Sequence, residues 1–126
     1  MACEQILVVE DNERNMKLFR EVLEFSGYRT LEAQTGERAV ALTTEHRPDL
    51  VLMDIHLPDI DGVEALRILR ADERTASIPV LALTAQAMEG DRERFLADGF
   101  DGYLSKPVNI ADLLDAVRRY CEGGTR

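Results

Sequence analysis

Four places in the chain put reactive groups at the end of an apolar run. Ile6-Leu7-Val8-Val9 runs into Glu10-Asp11, Val51-Leu52-Met53 into Asp54, Val80-Leu81-Ala82-Leu83 into Thr84, and Tyr103-Leu104 into Ser105-Lys106-Pro107. Short apolar runs of this kind read as strands buried on both faces. An unpaired carboxylate is costly to bury, so Asp54 belongs at the open end of its strand or against a cation. In an open parallel sheet the C-terminal strand ends share one edge, and ligands bind there. Two acids, a nucleophilic carboxylate, a hydroxyl and an amine then face one small volume.

Glu10, Asp11 and Asp54 at one edge repel one another unless a cation sits among them. Oxygen-only ligands, few in number and leaving room for water, suit Mg²⁺ better than Zn²⁺ or a caged Ca²⁺. The Asp54 carboxylate can attack phosphorus and form an acyl phosphate. What remains for the protein is to position the group and neutralise its charge: Mg²⁺ on one phosphoryl oxygen, Lys106 on a second, the Thr84 hydroxyl on a third. Lys17 and Lys106 are the only lysines among fifteen basic residues, and a compact ammonium fits a tight phosphoryl site where a planar guanidinium needs more room. His56 suggests a transition metal or a general base, but no second histidine stands near it to complete a metal set.

The elements that must position these groups follow in order. A helix over about Glu13 to Ser26 carries Met16, Phe19, Val22 and Leu23 at helical spacing and stops at Gly27. Thr30 to Ala33 is a strand of mixed polarity suited to an edge, and a helix over about Glu37 to Glu45 closes before Pro48. After the Asp54 strand, Asp59-Ile60-Asp61-Gly62 is a loop, and Asp61-x-x-Glu64 reads as a capping box for a third helix with Val63, Leu66 and Leu69 inward. Asp59 and Asp61 are read as capping and solvated loop residues, not metal ligands. The fourth helix, about Met88 to Asp98, is polar nearly all round, with Met88, Phe95 and Leu96 its only large apolar residues. It is either a weakly anchored moving part or an ordinary surface helix. Asn109 caps a last helix with Ile110, Leu113, Leu114, Val117 and Cys121 on its apolar stripe. Strand and helix alternating five times give an α/β fold: a five-stranded parallel sheet, order 2-1-3-4-5, with helices on both faces. That order sets Asp11 beside Asp54.

The chain has 126 residues, enough for a single domain over 1–126 with its core at about 5–121 and no output domain. A formal net charge of −9 argues against nucleic acid and against an anionic membrane surface. There is no signal-peptide pattern and no run of membrane-spanning length. Cys3 and Cys121 match no metal spacing and are read as reduced thiols of a cytoplasmic protein; the expected fold brings them to the same side of the sheet, so a redox pair is the lesser reading.

Glu10-Asp11, Asp54, Thr84 and Lys106-Pro107, in this order and spacing, resemble the receiver domain of two-component response regulators over about Gln5 to Tyr120. Asn12 and Asn15, with the lack of a second domain, are most similar to DivK-type single-domain regulators of cell-cycle control. The resemblance implies that Asp54 is the phosphoacceptor, and that Asp11, Asp54 and the backbone carbonyl of His56 ligate Mg²⁺ with Glu10 helping through water. Phosphohistidine on a histidine kinase or histidine phosphotransfer protein is the implied donor, in a phosphorelay where the chain catalyses only its own phosphorylation and dephosphorylation. Thr84 and Tyr103 are then the switch pair, His56 and Gln86 tune phosphoryl lifetime, and Lys106-Pro107 is a candidate cis peptide. The downstream protein partner reads the helix 4, strand 5 and helix 5 surface, where Arg92, Arg94, Asp98, Asp101 and Arg118 could pair copies or be ordinary solvated surface. The expected state is a monomer when unphosphorylated, with dimerisation open to the phosphorylated form. Three other readings compete. An aspartate-nucleophile phosphohydrolase wants an acid where His56 stands; the others are a phosphorylation-independent adaptor of the same fold, and a receiver excised from a hybrid histidine kinase.

Overall fold

The computed structural model describes residues 3–85 and 91–121, with the backbone alone for residues 91 and 92. Five strands, β1 (Gln5–Val9), β2 (Arg29–Ala33), β3 (Leu50–Asp54), β4 (Val80–Thr84) and β5 (Gly102–Ser105), form one parallel sheet in the order β2-β1-β3-β4-β5. Five helices alternate with them: α1 (Glu13–Phe25), α2 (Gly36–His46), α3 (Gly62–Ala71), α4 (Asp91–Asp98) and α5 (Ile110–Cys121). The expected α/β fold and strand order are therefore found. β3 and β4 are buried along their whole length, as continuous apolar strands in the middle of a parallel sheet must be.

Alternation along each strand feeds two cores. Ile6, Val8, Leu50, Leu52, Leu81 and Leu83 meet Phe19 and Leu23 of α1 and Leu113 and Val117 of α5. On the other face Leu7, Val9, Val51, Met53, Val80 and Ala82 meet Leu42 of α2, Leu66 and Leu69 of α3, and Phe95 of α4. Phe95 is the only buried side chain in the described part of α4, while Leu96 is 43% exposed. Among the described residues the narrow apolar face read from the sequence thus has a single buried anchor.

The starts of α1, α2, α3 and α5 are each fixed by a side chain that accepts an otherwise orphaned N–H. Asn12 accepts from the Asn15 N–H (3.0 Å), Thr35 from Arg38 (3.1 Å), Asp61 from Glu64 (2.9 Å) and Asn109 from Asp112 (2.7 Å). Asp59 adds a cap at long range, accepting from the N–H groups of Gly36 (2.8 Å) and Glu37 (2.9 Å) at the start of α2. These bonds to the carboxylate hold its pKa below the usual value.

Three details differ from the sequence reading. Cys3 and Cys121, expected as thiols, form a disulfide with Cα atoms 4.9 Å apart. The start of β1 and the end of α5 converge on the same core, which brings the two side chains within bridging range. Ile110, assigned to the apolar stripe of α5, is 51% exposed, facing an open groove between α1 and α5 in place of the core. Asp101, read as part of a polar face that could pair copies or be ordinary solvated surface, is exposed but has a structural role the sequence did not show: its carboxylate accepts from the Val80 N–H (2.8 Å) and from Arg70 (3.0 Å). Arg70 also donates to the carbonyls of Ala76, Ile78 and Gly99, joining α3 to the entries of β4 and β5.

The turn after α3 carries a pH-dependent contact. Asp72 accepts from the Arg74 backbone N–H (2.9 Å) and twice from its guanidinium (3.1 and 2.8 Å), and the Arg74 side chain first, then its N–H, lowers the Asp72 pKa to about 2. A carboxyl that titrates lower in the folded than in the unfolded state contributes stability above its unfolded value of 3.8, and loses it as pH falls towards 2. NMR titration of the Asp72 carboxyl carbon is expected to give a midpoint near 2, moving back towards 3.8 in Arg74→Ala.

Candidate functional site

The register of the sheet assembles the site. Val9 lies level with Met53, Asp54 with Leu83, and Thr84 with Ser105, so Glu10, Asp54, Thr84 and Lys106 emerge along one edge. Backbone bonds carry the ladder through this edge: the Glu10 N–H donates to Ala33 O (2.9 Å), Ile55 to Leu83 (3.0 Å) and Lys106 to Thr84 (2.7 Å). The Lys106-Pro107 peptide is cis.

Lys106 is the charge centre. Its Nζ lies 2.8 Å from Glu10 Oε1 and 2.8 Å from Asp54 Oδ2. The other Asp54 oxygen, Oδ1, accepts the His56 N–H at 3.0 Å, and Glu10 Oε2 accepts the Asn12 N–H at 3.2 Å. The Glu10 and Asp54 side chains are almost wholly buried, Lys106 is 18% exposed and Asp11 is exposed. Burial pushes the Glu10 pKa up, with the nearby Asp54 charge adding to the rise and Lys106 pulling against it. For Lys106 burial acts downward, but its contacts with Asp54 and Glu10 outweigh that and the pKa is raised. An ammonium held between two buried carboxylates interacts with them more strongly than the same groups do in water.

One oxygen from each of Glu10, Asp11 and Asp54 lies within 4.8 Å of the other two. Glu10 Oε1 is buried and has only the charge contact with Lys106, without a hydrogen bond of proper geometry. An oxygen-only set with an under-satisfied buried carboxylate and one exposed acid fits a small hard cation that keeps water ligands. The His56 side chain is exposed and points to no second histidine ligand among the described residues.

The remaining candidates fall around this centre. Thr84 is buried at 3% exposure at the end of β4. Tyr103 is half-buried on β5, its ring 5.7 Å from that of Phe95, which in turn makes an edge-on contact with Phe100 at 6.0 Å. A recess of about 190 Å³ opens beside Tyr103, between Leu81, Leu96, Ala116 and Tyr120. Gln86, Met88 and the Arg92 side chain lie outside the described residues. Arg94 stands over the Phe95 ring at 5.1 Å.

Gly62 is a positioning residue that sequence reasoning missed. A Cβ there would lie 2.5 Å from the Asp54 carbonyl oxygen and 3.0 Å from Ile55 Cα, and the Gly62 N–H donates to Ile55 O at 2.8 Å. The start of α3 therefore presses directly on the backbone that carries Asp54. The only local signal was a glycine directly after a helix cap. Gly62→Ala is expected to destabilise the fold by about 2 kcal/mol through this overpacking, read as a lower thermal midpoint. With Asp54 as the expected phosphoacceptor, phosphoryl uptake should also slow about tenfold or more, since a shift of the order of 1 Å misaligns a reacting group.

Comparison with known proteins agrees with this geometry. The family described as "Response regulator receiver domain" matches residues 6–118. The polar-differentiation response regulator DivK of Brucella anthropi is 46% identical over 115 residues, covering 91% of this chain and 94% of that protein. The receiver domain of the sensor histidine kinase PA1611 from Pseudomonas aeruginosa, solved with a magnesium ion in its active site cleft, is 40% identical with a TM-score of 0.85, covering 94% and 98% of the two chains. The co-crystal structure of the Saccharomyces cerevisiae phosphotransfer protein Ypd1 with the receiver domain of Ssk1 matches at 28% identity and a TM-score of 0.88, covering 95% of this chain and 90% of the matched one. An ammonium held between two buried acids at the strand ends, inside a 2-1-3-4-5 sheet and under a family match spanning the sheet, makes this chain a member of the response regulator receiver domain family.

Proposed function

We propose that the chain is a DivK-like response regulator of a phosphorelay, which accepts a phosphoryl group from phosphohistidine on Asp54 and passes the signal on by protein binding. The convergence of Lys106 on Glu10 and Asp54, both at 2.8 Å and beside exposed Asp11, carries this reading. Asp11 and Asp54, with the His56 carbonyl and Glu10 through water, would hold Mg²⁺, which when bound neutralises charge on the phosphoryl oxygens. Asp54 attacks phosphorus, the P–N bond of the donor breaks, and its imidazole leaves. Lys106 shifts from the carboxylate to a phosphoryl oxygen, and the Thr84 hydroxyl donates to another. Water later returns the aspartate, with His56 and Gln86 setting how readily it reaches the acyl phosphate.

Movement of Thr84 towards the phosphoryl group would free space that Tyr103 fills on leaving Phe95, altering the α4, β5 and α5 surface that a downstream protein reads. The chain would act in the cytoplasm, as a monomer before phosphorylation; no described helix is long and apolar enough to cross a membrane. The cell-cycle role of the DivK type is the finest part of the proposal, supported by a match that spans 94% of that relative.

A donor helix would rest on the α1/α5 face, where Leu18, Val22 and Phe25 of α1 and Ile110 and Leu114 of α5 line an apolar groove that runs away from the site and ends at Phe25, 95% exposed. Phe25→Ser is expected to slow transfer from a phosphorylated protein donor about tenfold while leaving uptake from acetyl phosphate unchanged. Incubation with acetyl phosphate and Mg²⁺, followed by intact-mass measurement, tests the reading as a whole. One added phosphoryl group is expected with Mg²⁺ and none with a chelator; failure to gain one while also failing to bind Mg²⁺ would leave only a phosphorylation-independent adaptor.

A further inference from the structure

Cys3 and Cys121 lie at the opposite edge of the sheet from Asp54. Cys3 precedes β1, which runs away from it towards Glu10, and α5 begins just after Lys106-Pro107 and ends at Cys121. Cys121 is 1% exposed within the α1/α5 core, and Cys3 is half-buried against that core. Neither position depends on the sulfur bond alone. The backbone after Cys3 is pinned by the Glu4 and Gln5 N–H groups, which donate to Asp49 at 2.8 and 3.1 Å, and by the Arg29 N–H, which donates to Glu4 O at 2.8 Å. Cys121 is held by the packing of Leu113 and Val117 on the same helix face. Reduction would therefore leave two thiols facing each other in a folded protein.

We infer that Cys3 and Cys121 form a redox-responsive thiol pair that exchanges with small disulfides of the glutathione class, Cys3 being the attacking thiol and Cys121 the resolving one. The roles follow from access: only Cys3 has surface that a dissolved disulfide can reach. The Cys3 thiolate attacks one sulfur of the oxidant, forming a mixed disulfide and releasing one thiolate. The Cys121 thiolate then attacks Cys3 Sγ, forming the intramolecular bond and expelling the second. The protein gives up two electrons and two protons, and the oxidant becomes two thiols. In a reducing compartment a disulfide of this kind persists only as a transient or sensing bond, since the thiol pool returns it to the dithiol.

The bond closes a loop of sequence separation 118 and fastens the last turn of α5 to the entry of β1. Tyr120, next to Cys121, donates its hydroxyl to Asp101 O at 2.6 Å, directly before β5. Oxidation thus stiffens the helix that flanks Tyr103, from the end remote from Asp54. The redox chemistry itself stands apart from the phosphoryl reading.

The reduced chain is incubated with glutathione disulfide, trapped with iodoacetamide and weighed intact, beside Cys121→Ser and Cys3→Ser. The wild type is expected to resist alkylation as an intramolecularly oxidised monomer and to return to the dithiol in excess reduced glutathione. Cys121→Ser should hold one glutathionyl adduct, whereas Cys3→Ser should keep an unmodified thiol that is alkylated only after unfolding. The oxidised form should melt about 10 °C above the reduced one and exchange amide hydrogens more slowly in the last turn of α5. Free thiols in the oxidant-treated wild type, disulfide-linked dimers, a bond that survives excess reduced glutathione, or glutathionylation of Cys3→Ser in place of Cys121→Ser would each overturn the inference.

Discussion

Asp54→Asn is expected to gain no phosphoryl group from acetyl phosphate and Mg²⁺ under conditions that fully load the wild type. An amide oxygen is no nucleophile towards phosphorus, and no other carboxylate of the site has the same setting. Glu10 is buried beneath Lys106 with burial favouring its protonated form, and Asp11 is exposed with no described donor to orient it. The variant should stay folded. Its side-chain oxygen can still accept the His56 N–H, and Lys106 keeps Glu10 as a partner. Removal of one of three crowded acids offsets the lost ion pair, so the stability change should stay within about 1 kcal/mol. Intact-mass spectra and melting curves on the same sample separate loss of the nucleophile from loss of the fold.

Lys106→Met should have the second largest effect, and on two properties at once. Without the ammonium, Glu10 and Asp54 face each other almost buried and uncompensated. Removing one partner of a buried pair costs about 3–5 kcal/mol; the partly exposed lysine and the open Asp11 side reduce that to about 2–3 kcal/mol. Mg²⁺ supplies charge to the folded state alone and should restore part of this, by mass-action linkage. A larger Mg²⁺-dependent rise in melting temperature is therefore expected for the variant than for the wild type. Phosphoryl uptake should fall about a hundredfold or more even at saturating Mg²⁺, because a positioned charge on the phosphoryl oxygens is lost. An equal melting response in both proteins would place the Mg²⁺ away from Lys106.

The site was legible because its groups sit at the ends of apolar runs. Strand burial forces Glu10, Asp54 and Thr84 to one edge, and the spacing of Lys106 after Tyr103-Leu104 adds the ammonium. The fold followed from the same runs, through the rule that parallel strands need right-handed crossovers. What the sequence hid were contacts between distant segments. The Asp59 carboxylate reads locally as loop solvation, yet it caps α2, twenty-two residues away from Glu37. Arg70 has no local signal that sets it apart, and its guanidinium holds the carbonyls that enter β4 and β5. Cysteine spacing carries no pairing information, so the expected fold offered the Cys3–Cys121 pair only as the lesser reading, and the bond follows from both ends packing on one core. Arg47 ends α2 in the left-handed region at φ 46°, a place usually given to glycine, and nothing in its side chain announces it.

The most direct measurement uses phosphoramidate, whose P–N bond has the same chemistry as phosphohistidine, as donor with Mg²⁺, followed by borohydride reduction and peptide mass mapping. An aspartyl phosphate is reduced to homoserine, so the residue that carried the group is marked permanently. Homoserine at position 54 alone, and only when Mg²⁺ is present, is the expected result. Homoserine at position 11, or an unreduced Asp54 in a chain that has gained phosphate, would contradict the assignment of Asp54 as the acceptor.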